Sequence, residues 1–241
     1  MQDYETMFEI SGDRVEEIKI SPGILLIIFA CADERNMCVP LQLRCINTGR
    51  TVVSFEYHLA ETDGRIEFIE QFKEKLIVKQ YNGPLKIFDI SKRDDTHDPI
   101  IVPASDFVTP RAFIYLYLNE VFLTFTGCEV SGWNFRGQRT VQFEDHELCD
   151  FDDCNTNSVY INTKQNLIIS HCQSSGGTIG SSGSIHFSNI LTGECIARIE
   201  PDICDPDTTH ALTDITVLFY CEETNEIYTG NRSGFINVWS N

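Results

Sequence analysis

Basic residues are scarce in this chain: 18 Lys and Arg stand against 36 Asp and Glu, a formal charge of −18 over 241 residues. A surface that acidic repels phosphate backbones and anionic headgroups, which argues against sequence-independent nucleic-acid binding and against membrane binding. It leaves basic partners or plain solubility as roles for the charge. Long apolar runs are missing too. The longest, Ile24 to Cys31 ("ILLIIFAC"), is far short of the ~20 residues a spanning helix needs. The opening "MQDYETMFEI" has no basic segment followed by an apolar one, so no signal peptide is expected. The ten cysteines sit singly, without a CxxC pair, and many lie in apolar runs where a thiol behaves as a small hydrophobe. Together these point to a reducing compartment, the cytoplasm and/or nucleus, and to no disulfide framework.

Signatures of catalysis are absent as well. There is no GxSxG, and the Gly-rich "SSGGTIGSSGS" (Ser174 to Ser184) carries no Lys to hold a phosphate. It reads as a long flexible loop. The densest titratable cluster is "FEDHELCDFDDC" (Phe143 to Cys154). Its His146, Cys149 and Cys154 match no zinc spacing and have no second Cys pair beside them, so no metal or other cofactor is expected. Neither His146 nor His58 has a nucleophile paired with it in the sequence.

What the chain does contain is a repeat. "INTGRTVVSF" (Ile46 to Phe55) and "ILTGECIARI" (Ile190 to Ile199) each place an apolar residue, a Thr-Gly turn and an alternating strand in the same order. "SFEYH" (Ser54 to His58) is answered by "QFEDH" (Gln142 to His146). "GPLKIFDI", "CEVSGWNF" and "GFINVWSN" share a turn, an alternating strand, an aromatic residue and then Asp, Asn or Ser. Five units emerge, beginning near Val15, Ile66, Ala112, Val159 and Ile215, at a spacing of about 45 to 55 residues. Each reads as four short strands separated by turns, with Val15–Ile20, Gly23–Phe29, Val39–Ile46 and Thr51–Phe55 in the first. The one rival is Arg65 to Lys79, whose Ile66, Ile69, Phe72 and Leu76 fall at helical spacing. Two strands around the "KEK" turn keep that segment in phase with the other units, so strands are predicted.

This pattern resembles the WD-repeat family, the transducin-like β-propellers, over nearly the whole chain. The last unit carries the resemblance best. His210 fits the family's Gly-His pair with Thr209 in the Gly place, Thr229-Gly230 matches its Ser-Gly, and Trp239 takes the Trp of Trp-Asp with Ser240 after it. In the first four units the Trp-Asp place is held by Arg44-Cys45, Phe88-Asp89, Trp133-Asn134 and Ser188-Asn189. The resemblance implies an all-β propeller of about five recognisable four-stranded blades, with residues 1–241 as a single domain. It also implies a blade-locking hydrogen-bonded chain containing His210, Thr229 and Trp239, with Arg232-Ser233 where the family's Asp stands. His146 and His58 share the phase of His210. Family propellers commonly pair the first strand with the last three, so Glu5 to Ile10 is predicted to complete the last blade beside Phe235–Trp239. Family rings usually have seven blades; five here mean either an unusually small ring or part of a larger one.

The functional expectation follows from fold and charge. A propeller enzyme needs carboxylates or histidines at equivalent inner-strand positions, and "VEEIKI", "RIEFIE", "RAFIYLY", "NSVYIN" and "DITVLFY" share none. The reading is a non-catalytic scaffold for protein–protein interactions that uses acidic loops to take partners with basic segments. The candidate contact residues are Glu144, Asp145, Asp150, Asp152, Asp153, Asp202, Asp205 and Asp207. The alternative is a substrate receptor of a cullin–RING ubiquitin ligase. That family variant docks its adaptor through Trp-Asp-x-Arg, approximated here by Trp133, Asn134 and Arg136.

Overall fold

The structure is a computed structural model that describes residues 7–10, 14–30, 38–59, 65–91, 99–110, 112–126, 129–143, 158–173, 182–202 and 204–240. The chain divides into two compact units, Met1–Thr109 and Pro110–Asn241. Among the described residues, the strands form four four-stranded sheets and one three-stranded sheet, all antiparallel between neighbours in sequence.

The first unit holds two sheets. One runs β1 (Val15–Ser21), β2 (Ile24–Phe29), β3 (Cys38–Cys45) and β4 (Thr51–His58); the other runs β5 (Ile66–Phe72), β6 (Lys75–Gln80), β7 (Leu85–Asp89) and β8 (Ile100–Val102). The second unit holds three. They are β9 (Ala112–Leu116) to β12 (Arg139–Gln142) through β10 (Val121–Thr126) and β11 (Glu129–Asn134); β13 (Val159–Ile161) to β16 (Cys195–Ile199) through β14 (Leu167–Gln173) and β15 (Gly183–Asn189); and β17 (Ile215–Cys221), β18 (Glu226–Asn231) and β19 (Ile236–Trp239). The five units expected from sequence thus begin at the first strand of each sheet. Arg65 to Lys79 is a hairpin, turning at Lys73-Glu74, because its apolar residues are needed on both faces of a sheet.

Burial explains the apolar runs. The "ILLIIF" of β2 and the "KLIVKQ" of β6 are buried at successive residues, as a strand covered on both faces must be. β3, by contrast, alternates, with Val39, Leu41 and Leu43 buried and the residues between them half-buried. Leu26, Ile28, Leu41, Leu43, Leu76, Val78 and Phe88 form the core between the two sheets of the first unit. In the second unit, Leu123, Phe125 and Val130 pack on Ile168 of the next sheet, and Ile169 and Ile185 pack on Leu218 and Ile227 of the last.

The turns repeat as faithfully as the strands. Each first hairpin of a sheet holds one residue at positive φ: Gly23, Lys73, Glu120, Gln165 and Asn225. The two Thr-Gly turns legible in the sequence place Gly49 and Gly193 at φ 67° and 75°, where glycine alone is unstrained. Their N–H groups donate to Cys45 O and Asn189 O, each at 2.8 Å. Gly49 has a second role: Phe8 lies so close that a Cβ there would sit 2.7 Å from its ring. That is where the described part of the expected N-terminal strand goes. Residues 7–10 belong to no strand, Phe8 filling the space beside a side-chain-free turn instead, and Glu5 and Thr6 lie outside the described residues. A second difference is the short helix α1 (Pro206–Ala211), which contains Asp207 and follows Asp205, residues expected from sequence to lie in an acidic loop. Asp205 and Pro206 are a cap and a first-turn proline, a start signal that the repeat pattern overshadowed.

Gly183 tests the packing. A Cβ at this position would lie 2.2 Å from His171 Nε2 and 2.4 Å from the Cys172 carbonyl oxygen, and the carbonyl cannot swing away without breaking its sheet. Gly183→Ala should therefore cost at least about 2 kcal/mol in urea unfolding. Gly23→Ala meets no atom within 4 Å and suffers only its φ of 82°, so it should cost less, about 1 kcal/mol.

Candidate functional site

Two tryptophan–threonine bonds recur at equivalent places. Trp133 Nε1 donates to Thr124 Oγ1 at 3.0 Å in one sheet, and Trp239 Nε1 donates to Thr229 Oγ1 at 3.0 Å in the last. In each, the indole reaches diagonally from the third strand to the second: Trp133 is paired with Phe122 and Trp239 with Ile227, two residues short of the threonine. The sequence pointed to Thr229 and Trp239; it missed Thr124, although a Thr nine residues before a strand-ending Trp is a readable signal. His210 is in α1, with its ring edge-on to Phe235 at 5.7 Å, and no hydrogen bond joins it to Thr229. His58 is exposed at the end of β4. Beside it Tyr57 is buried and donates to Gln80 Oε1 at 3.0 Å, with burial pushing its phenol up to about 12. His146 lies outside the described residues.

The residue after the aromatic place organises the next turn. Asn134 Oδ1 accepts from the N–H groups of Arg136 and Gln138 at 2.9 and 3.1 Å. Asn189 Oδ1 accepts from Leu191 and Thr192 at 2.8 and 3.2 Å, and Asp89 Oδ1 accepts from Ser91 at 3.1 Å. These are Asx turns, which explains why a short carboxylate or amide follows the Trp place in each case, whether that place holds Trp133, Phe88 or Ser188. Lys75, 2.8 Å from Asp89 Oδ2, and Ser91 hold that carboxyl well below the usual range. Of the adaptor-like trio, Trp133 is buried, Asn134 spends its side-chain oxygen on the turn, and Arg136 is exposed.

Of the eight candidate acidic contact residues, the structure describes Asp202, Asp205 and Asp207, all exposed. Asp202 Oδ1 accepts from Cys204 N at 2.8 Å. Asp205 caps α1, accepting from Asp207 N at 3.1 Å and from Thr208 Oγ1 at 2.5 Å, and the Thr208 bond leads in lowering its carboxyl. Asp202 and Asp205 are thus oriented by their own loop, while Asp207 lies in the first turn of α1. Glu144, Asp145, Asp150, Asp152 and Asp153 lie outside the described residues.

Buried polar groups serve structure. Lys79 is 3% exposed; its Nζ donates to Gly83 O at 2.7 Å and stands 3.5 Å from Glu67 Oε2. His171 is buried in β14, and desolvation lowers its ring from an ordinary 6.5 to about 4, with neighbouring His186 adding to the effect. Among the described residues, no three His, Cys, Asp or Glu side chains gather as a metal site, and no helix is long and apolar enough to cross a membrane.

A family model for a domain of unknown function, DUF7899, matches residues 1–239. The chain belongs to the DUF7899 family. No curated protein matches this DUF7899 chain. Its similarities among solved structures include a eukaryotic initiation factor, 8% identical over 95% of this chain and 53% of that one, with a TM-score of 0.52. The computationally designed Ika8 protein is 16% identical over 94% and 58% of the two chains, with a TM-score of 0.48. BamB from Moraxella catarrhalis is 14% identical over 98% and 64%, with a TM-score of 0.43. The DUF7899 chain spans less than two-thirds of the length of each. The fold is all-β and of β-propeller type, built from antiparallel sheets of four strands, with three in the last among the described residues.

Two measurements probe these fittings. Trp133→Phe, which leaves Thr124 without its indole partner, should cost about 1–2 kcal/mol of unfolding free energy, and adding Thr124→Val should cost less than the two single changes summed. His171 is held neutral in the folded state, so its contribution is complete above the unfolded pKa near 6.5 and is lost as pH falls towards about 4. Urea unfolding near pH 5 should show about 2 kcal/mol less stability than near pH 7.5 from this residue. His171→Leu should flatten that part of the profile.

Proposed function

We propose that this DUF7899 chain is a non-catalytic interaction scaffold of the WD-repeat type, working in the cytoplasm and/or nucleus and binding protein partners through basic segments. The observation that carries the reading is the loop leading into the last sheet, where Asp202, Asp205 and Asp207 are all exposed and two of them are oriented by backbone N–H groups. Carboxylates held at fixed positions on a sheet frame meet a Lys- or Arg-rich segment without the entropy cost of ordering themselves. The chain's net charge of −18 draws such segments in from a distance. The Trp–Thr bonds support the WD-repeat assignment, since they put a strand-ending indole and a second-strand hydroxyl in the relation that family uses.

Fluorescence anisotropy with a labelled Lys/Arg-rich peptide tests it. Affinity should fall by about tenfold or more between roughly 0.05 and 0.5 M salt. Asp202→Asn with Asp207→Asn should weaken binding at low salt while leaving the fold intact. An affinity indifferent to salt, or unchanged in the double variant, would overturn the acidic-loop reading. The alternative, a ubiquitin-ligase receptor, rests on exposed Arg136 at the turn after Trp133. It expects a ligase adaptor to co-purify with the wild type and to be lost with Arg136→Ala.

A further inference from the structure

Between β4 of the first sheet and β7 of the second, both in the first unit, lies a groove of about 430 Å³. That is room for a side chain or a small ligand. Phe55 and Tyr57 of β4 and Phe88 of β7 line it. Phe88 meets the other two rings edge-on, with centroids 5.2 and 6.0 Å away, and the Tyr57 hydroxyl is held by Gln80. The floor is therefore fixed as well as apolar. Lys86, also on β7, is half-buried and sets its Nζ 5.2 Å from the centre of the Tyr57 ring. Ile101, paired with Lys86 from β8 and 59% exposed, continues the same face towards solvent.

The cation is the unusual part. Lys19, Lys75 and Lys79 stand against carboxylates, those of Glu70, Asp89 and Glu67. Among the described residues Lys86 meets none, although the chain has 36 acidic residues against 18 basic ones. The repeat does not require a lysine here: Gln42, Ser131, His186 and Asn237 hold the same place, two before the Trp place, in the other sheets. Glu56 also borders the groove, but it alternates with Phe55 and Tyr57 along β4 and so belongs to the opposite face of its sheet. An ammonium on an aromatic face, partly withdrawn from water, is completed by an anion. β4 adds a second feature. It ends its sheet, and among the described residues no strand pairs with its outer edge. Exposed edge strands are ordinarily kept short, and β8, β12 and β16 have 3, 4 and 5 residues. β4 has 8, with no proline or lysine to blunt it.

We infer that this groove takes an extended peptide segment of a partner protein, in which an aliphatic or aromatic side chain has an Asp or Glu close to it. The backbone of the segment adds to the open edge of β4, its apolar side chain lies on Phe55, Phe88 and Ile101, and its carboxylate pairs with Lys86. The long edge is what selects a peptide over a free amphiphilic acid, since only a peptide backbone can pair with it. Because the chain as a whole is acidic, a single carboxylate beside the apolar residue is expected, not an acidic run. The site goes beyond the acidic-loop reading: it selects the opposite charge and belongs to a different unit from Asp202, Asp205 and Asp207.

Selection from a random peptide display library on the full chain, followed by fluorescence anisotropy of the recovered peptides, tests this. The recovered sequences should share an apolar residue with an Asp or Glu close to it. Lys86→Glu, and separately Ile101→Asp, should weaken their binding by at least about tenfold. Lys86→Met keeps an apolar stem on Tyr57 and should lose affinity in the same direction, and circular dichroism checks that all three variants fold. The decisive arm exchanges the charges: replacing the acidic residue of the peptide by Lys should abolish binding to the wild type and restore it to Lys86→Glu, which a merely structural lysine would not do. Amide hydrogen exchange along β4 should slow when the peptide binds. Failure to recover any peptide, recovered peptides with a basic residue in the acidic place, or binding indifferent to Lys86→Glu overturns the inference. Lauric acid competing as strongly as the best peptide, with exchange along β4 unchanged, overturns it equally and assigns the groove to an amphiphilic acid.

Discussion

Sheet-on-sheet burial is the constraint on which the structure depends. A second strand such as β2, β6 or β10 is buried at four or more successive positions, so its side chains are apolar on both faces and its backbone is paired on both edges. Such a strand has no solvent-facing side to fall back on. The four-stranded sheet around it is stable only when other sheets cover both of its faces, which makes the repeat, and not the single sheet, the cooperative element. Where that cover is missing, on the last sheet, burial reverts to alternation.

The polar residues of the repeat keep this packing in register. An Asx turn after the third strand fixes where the fourth begins, and register shifts at Leu43/Arg44, Gly132/Trp133 and Phe187/Ser188 fall at one place in three sheets. The Trp133–Thr124 and Trp239–Thr229 bonds tie the third strand to the second where an indole N–H would otherwise be buried unmet. Such internal ties leave the turns and connecting loops as the variable part of the molecule. That is why recognition is sought there.

Much of this was legible before any coordinates. The five starting points, Val15, Ile66, Ala112, Val159 and Ile215, were visible because strand alternation and turn chemistry are local. The Thr-Gly turns at Gly49 and Gly193 were visible for the same reason. The hairpin over Arg65 to Lys79 was readable only by phase, since its own spacing also suits a helix. Other features were hidden. Asp205 reads as one more acidic loop residue until its cap on α1 is seen. His210 follows a family pattern yet sets its ring on Phe235, a partner twenty-five residues away that no local pattern specifies. Phe8 alternates like a strand residue, but the space beside Gly49 decides where it goes.

What the amino-acid order determined by itself was the period: the number of units, the strand positions, the turns, and the apolar and acidic character of each stretch. These depend on steric and solvation preferences that act within a few residues. Only the tertiary structure decided which face of each sheet is covered, because burial depends on what lies opposite and not on what lies adjacent. Ile185 and Ile236 occupy the same place in their repeats and are the same residue. One is sealed by a neighbouring sheet and the other stands in solvent, a difference that no local property of either isoleucine contains.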